Sequence, residues 1–209
     1  MSQNTSSAVM QQRIEAHESL DFFPTPPWAT RALCEWIKGQ PGFNNWRALE
    51  PACGAGDMAK PLAEYFWKVE AFDVNDYGFG YPVRDFLFGD APSVDWTITN
   101  PPFRLAAEFI AQGLRCSDAG VAMLVRTAFL EGQERHRELF SVTPPTDILQ
   151  FTERVPMHKG KLTATGSTAT AYCWIVWRKP RQFDGTKFHW IAPCRKRLER
   201  ASDYEREAA

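Results

Sequence analysis

The chain has 209 residues, 44% hydrophobic and 23% charged, with a formal net charge of -1. That supplies apolar material for one good core, most simply one domain, and the near-neutral balance argues against a protein that holds nucleic acid mainly by bulk charge. Cysteines at 34, 53, 116, 173 and 194 form no C-x-x-C pair and leave an odd total, so they suggest neither a metal site nor a disulfide framework and fit a reduced, cytoplasmic setting.

Residues 1–20 open with a Ser/Gln/Asn-rich stretch that reads as a disordered or frayed tail, with no signal-peptide core, and no apolar run reaches membrane-spanning length. Asp21-Phe22-Phe23-Pro24-Thr25-Pro26-Pro27 is an extended, proline-braced approach to a helix from Trp28 to Lys38, with Thr25 placed to cap it and Gly39-Gln40-Pro41-Gly42 as a stop. Trp46 to Leu49 reads as a buried strand running into Glu50-Pro51-Ala52-Cys53-Gly54-Ala55-Gly56-Asp57 and then a helical pattern from Met58 to Phe66. Strand, Gly-rich turn and helix form the opening unit of a doubly wound nucleotide-binding sheet, in which Gly54 and Gly56 let backbone approach a ligand. Glu50 at the strand end would repel a pyrophosphate and suits a cationic amino-acid ligand instead. Val69 to Val74 is a second strand that delivers Asp73 about twenty residues after the turn, the spacing at which an acid grips ribose hydroxyls. Val83 to Leu87 reads as a third strand, with Asp85 beside Phe86, an acceptor and a ring face that suit an adenine.

Val94 to Thr99 is a fourth strand, and it stops at Asn100-Pro101-Pro102-Phe103 because prolines cannot continue a ladder. The prolines restrict the backbone and add carbonyls without competing N-H groups. The Asn100 side-chain oxygen and the Pro101 carbonyl form an acceptor pair for both hydrogens of an exocyclic amine, and Phe103 offers a face to a planar base. By itself the tetrapeptide is also an ordinary strand-to-turn junction. Beyond it come a helix from Leu105 to Leu114, a strand from Gly120 to Arg126, a helical stretch to Phe140 with Arg135, His136 and Arg137, a strand from Asp147 to Phe151 and a seventh from Ala171 to Trp177. Pro156 to Thr170, with His158, Lys159 and Lys161, is a long loop of the kind that carries function. Residues 195–209 form a charged tail with a short helix at best.

In their order, Phe-Pro-Thr-Pro, E-P-A-C-G-A-G, the acid ending strand two, Asp85-Phe86 and N-P-P-F resemble the S-adenosylmethionine-dependent amino-methyltransferases of DNA, the N6-adenine family, with the cofactor half first. The resemblance spans about 21–178 within a catalytic domain of 21–194. It implies a Rossmann-like class I methyltransferase fold: a seven-stranded, mostly parallel sheet with the last strand antiparallel and helices on both faces. It implies that Phe23, Thr25 and Pro26 flank the methionine part of S-adenosyl-L-methionine, that Glu50, Ala52, Cys53, Gly54 and Gly56 line its floor, that Asp73 with Val74 holds the ribose, and that Asp85 and Phe86 hold the adenine. Asn100, Pro101, Pro102 and Phe103 take the target amine. His158, Lys159 and Lys161 approach the nucleic acid.

The expected function is methyl transfer to N6 of adenine in DNA, without a metal or a membrane. A ribosomal RNA base or a protein glutamine amide is an alternative target, and an inactive cofactor-binding module that only recruits a partner is an alternative of another class. Nothing here is long enough for an added target-recognition domain, so recognition is expected to be short and loop-borne, supplied by a partner, or largely absent. The small single-domain build looks like a phage or prophage accessory enzyme.

Overall fold

The computed structural model describes residues 21–166, 168–180 and 185–205. The expected tail at 1–20 and the last four residues of the chain lie outside them. Helix α1, Pro27–Lys38, begins at consecutive prolines whose fixed φ suits a first turn, and it ends where the Gly39 N-H donates back to Glu35 O at 3.1 Å. Its Trp28, Ala29, Leu33, Cys34 and Ile37 are wholly buried, so the helix is inside the molecule along most of its length. The expected cap is absent: Pro26 occupies that position, and no side chain caps the helix. Thr25 has another partner, described below.

Strands β1 (Arg47–Glu50), β2 (Lys68–Ala71), β3 (Val94–Thr99), β4 (Ser117–Arg126), β5 (Asp147–Phe151), β6 (Tyr172–Arg178) and β7 (Lys187–Ile191) make one seven-stranded sheet, in the order β2-β1-β3-β4-β6-β5-β7. The β2-β1-β3-β4 run is parallel, β6 is antiparallel to both of its neighbours, and β7 is parallel to β5. The sheet has apolar clusters on both faces, which is why its central strands carry apolar residues at successive positions instead of alternating with polar ones. Ala48, Trp96, Ile98, Leu124 and Trp174 pack with α1 on one face, while Leu49, Val121, Met123 and Ile175 pack on the other with Phe109 and Ile110 of helix α3, Ala106–Cys116. The Trp174 indole donates to Ala29 O at 3.2 Å and ties α1 to the sheet.

Two of the seven strands differ from the sequence reading. Val83 to Leu87 forms no strand; its one ladder contact is an isolated bridge between Val83 and Asp73. The chain there makes tight turns instead, such as the one closed by the Leu87 N-H on Asp85 Oδ1 at 2.8 Å. The seventh strand is β7 at the opposite edge, so the antiparallel strand is the next to last in the chain. The expected helix from Met58 is regular only in α2, Ala59–Leu62, and continues as turns. Thr127 to Phe140 is a 3-10 turn (Thr127–Leu130), a short α4 (Gln133–Arg135) and a π turn (His136–Phe140). Its cations serve locally: Arg135 donates to Phe129 O at 2.8 Å, and Arg137 pairs with Glu138.

The stretch after β7 is docked. Beyond α5, Arg195–Leu198, the chain folds back so that the α1 guanidinium of Arg31, with 4% of its side chain exposed, meets Asp203, with 5% exposed, and also Glu64. Arg31 gives two bonds of 2.7 Å to the Asp203 carboxylate and one of 2.8 Å to Leu198 O.

Candidate active site

Strand β1 lies between β2 and β3, with all three parallel, so the sheet's order of filling reverses there and the strands' carboxyl ends leave a crevice. At those ends stand Glu50, the last residue of β1, Asp73, two residues past β2, and Asn100, directly after β3. A cavity of about 360 Å³ opens at this place, within the size range of small-molecule sites. Of the residues singled out in the sequence, Phe23, Thr25, Ala52, Cys53, Asp73 and Val74 line it, and so do Asp85, Phe86, Asn100 and Pro102.

Glu50, expected in the floor, is wholly buried and does not itself line the cavity, whereas the next residues, Pro51 and Ala52, do. Its Oε1 accepts from the Thr99 hydroxyl at 2.5 Å and from the Ala52 N-H at 3.0 Å, while its Oε2 has no partner. Burial pushes its pKa up to about 8, against the opposite pull of the Thr99 and Ala52 bonds, and the nearby Asp73 charge pushes the same way as burial. A buried carboxyl with one orphaned oxygen is a place for a cation.

Asp73 is held from two sides. The Gly54 N-H donates to its Oδ2 at 2.9 Å and the Asn75 N-H to its Oδ1 at 3.0 Å. A carboxylate oxygen accepts more than one bond, so a fixed acceptor pair remains for a ligand's hydroxyls. Gly54 and Gly56 both have positive φ, and rings fill the room that their missing side chains leave. A Cβ on Gly54 would stand 2.4 Å from the Phe22 ring, and one on Gly56 would stand 2.0 Å from the Tyr81 oxygen. Both glycines therefore seat aromatic side chains. Phe22 also stacks on Tyr77, with ring centroids 4.5 Å apart. Phe86 is 3% exposed, wedged between Phe72 and Phe109, so it meets the cavity from within the core.

Asn100 is fixed by the approach segment. Its Nδ2 donates to Phe23 O at 3.0 Å and to Thr25 Oγ1 at 3.1 Å, and Met157 Sδ lies 3.7 Å away. Both amide hydrogens thus have acceptors on one side, and the buried Oδ1 is left without a partner. Pro26 stands at the N-cap of the helix that follows, and Pro101 and Pro102 come after Asn100 outside any regular element. Phe103 packs on Phe23 at 5.2 Å between centroids, and the Arg126 guanidinium lies 3.9 Å from its ring. Sequence reading missed Asp21, whose Oδ2 accepts from the Phe103 N-H at 2.8 Å, and it missed Arg126. Asp21 immediately precedes the aromatic pair and was readable as its partner; Arg126 gave no signal beyond ending a strand.

The loop from Pro156 is pinned to the site by the Gly160 N-H, which donates to Phe22 O at 2.8 Å. His158 bridges to Lys161 and packs over Gly166, while Lys159 and Lys161 are exposed. Among the described residues no group of three side chains is placed to hold a metal, and no helix is long and apolar enough to cross a membrane.

This arrangement belongs to the Rossmann-like class I methyltransferase fold. No family model and no curated protein matches the sequence. Among solved structures, a proposed RNA methyltransferase from Pyrococcus horikoshii aligns with a TM-score of 0.57 at 17% identity, over 82% of this chain and 96% of that one. A type I restriction-modification methyltransferase subunit from Streptococcus thermophilus aligns with a TM-score of 0.60 at 13% identity, over 87% of this chain and 49% of that one. A modification subunit of a proposed type I restriction enzyme from Vibrio vulnificus gives 0.55 at 18% identity, over 97% and 53%. The chain spans about half the length of these last two.

Proposed function

We propose that this protein is an S-adenosylmethionine-dependent methyltransferase that acts on N6 of adenine in DNA. The observation that carries the reading is the Asn100 amide: its hydrogens are taken by Phe23 O and Thr25 Oγ1, and its oxygen lies unpartnered at a strand end beside a cavity. The site fits the cofactor's three polar parts. Glu50, with its orphaned Oε2, suits the amino-acid ammonium, Asp73 suits the ribose hydroxyls, and Asp85 with Phe86 suits the adenine. Bound there, S-adenosylmethionine supplies a methyl group made electrophilic by a sulfonium.

The lone pair of an aromatic amine is delocalised into its ring and is a poor nucleophile. Asn100 Oδ1 and the Pro101 carbonyl accept the two amine hydrogens, favour the pyramidal nitrogen that attacks, and stabilise the positive charge that grows on it. Neutral acceptors are enough, because the methylated amine is acidic and gives up its proton to water. Phe103 stacks on the extruded base. His158, Lys159 and Lys161 face the nucleic acid, and target choice rests on this short loop or on a protein partner.

Transfer of isotopic methyl from labelled cofactor to DNA, RNA and bulk protein, followed by digestion to nucleosides, tests the reading. Label in N6-methyladenine from DNA is the expected result. Label in an RNA base or a glutamine amide moves the activity to those targets, which the same acceptor pair would serve, and no transfer at all reduces the chain to a binding module.

A further inference from the structure

Arg126 is the last residue of β4, on the strand beside the one that delivers Asn100. Its guanidinium carbon lies 3.9 Å from the centroid of Phe103 and 5.9 Å from that of Phe23. The residue is exposed, and among the described residues its guanidinium makes no ion pair. The nearest carboxylate on this segment, Asp21, is engaged by the Phe103 N-H. Aromatic faces and a hydrogen bond that the guanidinium donates to the Tyr172 side chain hold this cation where it is.

A planar guanidinium at that distance fills the slab of space that a base stacked on Phe103 would fill. Stacking of a base on an aromatic ring outweighs an exposed guanidinium on the same ring, so the base displaces the cation. The displaced charge remains tethered at the carboxyl end of β4, beside the strand that delivers Asn100, where an extruded nucleotide would bring its flanking phosphates. With a net charge of -1 the chain has little bulk attraction for nucleic acid, which raises the weight of a single such contact.

We propose that Arg126 is a placeholder for the target base: it covers Phe103 in the free protein, and when a base enters it moves out onto a phosphate flanking that nucleotide. The inference rests on the amine-methylation reading above and adds to it a second, charge-based hold on the same nucleotide. Its signature is a pair of opposite effects. In Arg126→Ala the DNA substrate loses a phosphate contact, whereas a nucleoside without phosphates loses only a competitor.

The experiment measures methyl transfer to an adenine-containing oligonucleotide at several salt concentrations, and inhibition of that transfer by 2′-deoxyadenosine, for the wild type, Arg126→Ala and Arg126→Lys. Cofactor affinity by calorimetry and melting temperature serve as controls. For Arg126→Ala we expect a DNA KM raised about tenfold with kcat little changed, a salt dependence shallower by about one charge, and deoxyadenosine inhibition about threefold stronger. Arg126→Lys should restore the salt dependence and most of the KM, and should keep the stronger inhibition. If both ligands shift in the same direction, or neither shifts, in a variant that folds and binds cofactor, Arg126 is not a placeholder. If the wild type transfers no methyl to DNA, the DNA-adenine reading falls and takes the inference with it, whereas active wild type with unaffected variants overturns the inference alone.

Discussion

The Asn100 amide nitrogen lies 3.0 Å from the carbonyl oxygen of Phe23, a contact across 77 positions of sequence. A carbonyl can only accept, so the contact fixes which end of the amide faces it, and the Thr25 hydroxyl at 3.1 Å accepts the other hydrogen. The Asn100 oxygen is thereby turned away from the approach segment before any ligand arrives. Preorganisation of this kind is worth most where charge develops during a reaction.

Asn100→Ala should therefore keep cofactor affinity and lose turnover, by about 10²- to 10³-fold, on the scale of a lost preorganised hydrogen-bonding group in other active sites. Calorimetry with the cofactor and single-turnover methylation separate the two effects. A variant that methylates at the wild-type rate would remove Asn100 from the chemistry.

Phe103→Ala should weaken the hold on the target base by about 1 to 3 kcal/mol, the scale of stacking between a base and an aromatic ring, and leave cofactor binding unchanged. The DNA KM reads this directly. An unchanged KM would mean that the ring packs on Phe23 and does nothing for the base.

Asp73→Ala should weaken S-adenosylmethionine and its demethylated product alike, by about 1.5 to 3 kcal/mol, because a pair of charge-assisted bonds to hydroxyls is lost. The same carboxylate holds the N-H groups of Gly54 and Asn75, so the melting temperature of the variant has to be followed in parallel. Equal affinity in a folded variant would take Asp73 out of the cofactor site.

Glu50 gives the protein a pH signature. Its pKa is raised from an ordinary 4.5 to about 8, so the folded chain holds the proton more tightly than the unfolded chain does. The stability that comes with that proton is fully present below about pH 4.5 and is lost as the pH rises through 8. Glu50→Gln should flatten this part of the melting profile and should also bind the cofactor more weakly, since an amide cannot neutralise an ammonium. Binding of a cation beside Glu50 should release a proton at neutral pH, seen as a calorimetric heat that varies with the ionisation enthalpy of the buffer. Binding without proton release would place the ammonium elsewhere.

Arg31→Ala should destabilise the fold by about 3 to 5 kcal/mol, because it strands the buried carboxylate of Asp203. Replacing both residues with apolar ones of similar volume should recover most of that loss. Denaturant unfolding of the single and double variants decides it, and a single variant as stable as the wild type would show that the cluster contributes nothing.

The order of the strand ends and the turns after them was legible because each is announced by residues with few alternatives: prolines that end β3 after Thr99, glycines after β1, and an acid two residues beyond β2. The edges of the sheet were not. Val83 to Leu87 has the composition of a strand, but its Asp85 closes a local turn onto the Leu87 N-H, and local side-chain bonds of that kind compete with a ladder. Lys187–Ile191 does alternate in the period of a strand, but it is a five-residue edge strand whose apolar pair, Phe188 and Trp190, is exposed, and the sequence reading passed over it. Thr25 looked like a cap because threonine before a helix usually is one. Its hydroxyl serves Asn100 instead, a partner 75 positions away that no local pattern announces.

The clasp between Arg31 and Asp203 also makes the first helix depend on a residue 172 positions further along the chain. Residues 21–178 hold every group assigned to the cofactor and the target amine, yet α1, which follows directly from the segment that orients Asn100, carries a buried guanidinium whose closest carboxylate partner is at 203. A nascent chain that has emerged only as far as β6 can satisfy Arg31 through Glu64 alone. Truncation after β6 should therefore leave Arg31 without its Asp203 partner and weaken the seat of the helix that follows the segment orienting Asn100.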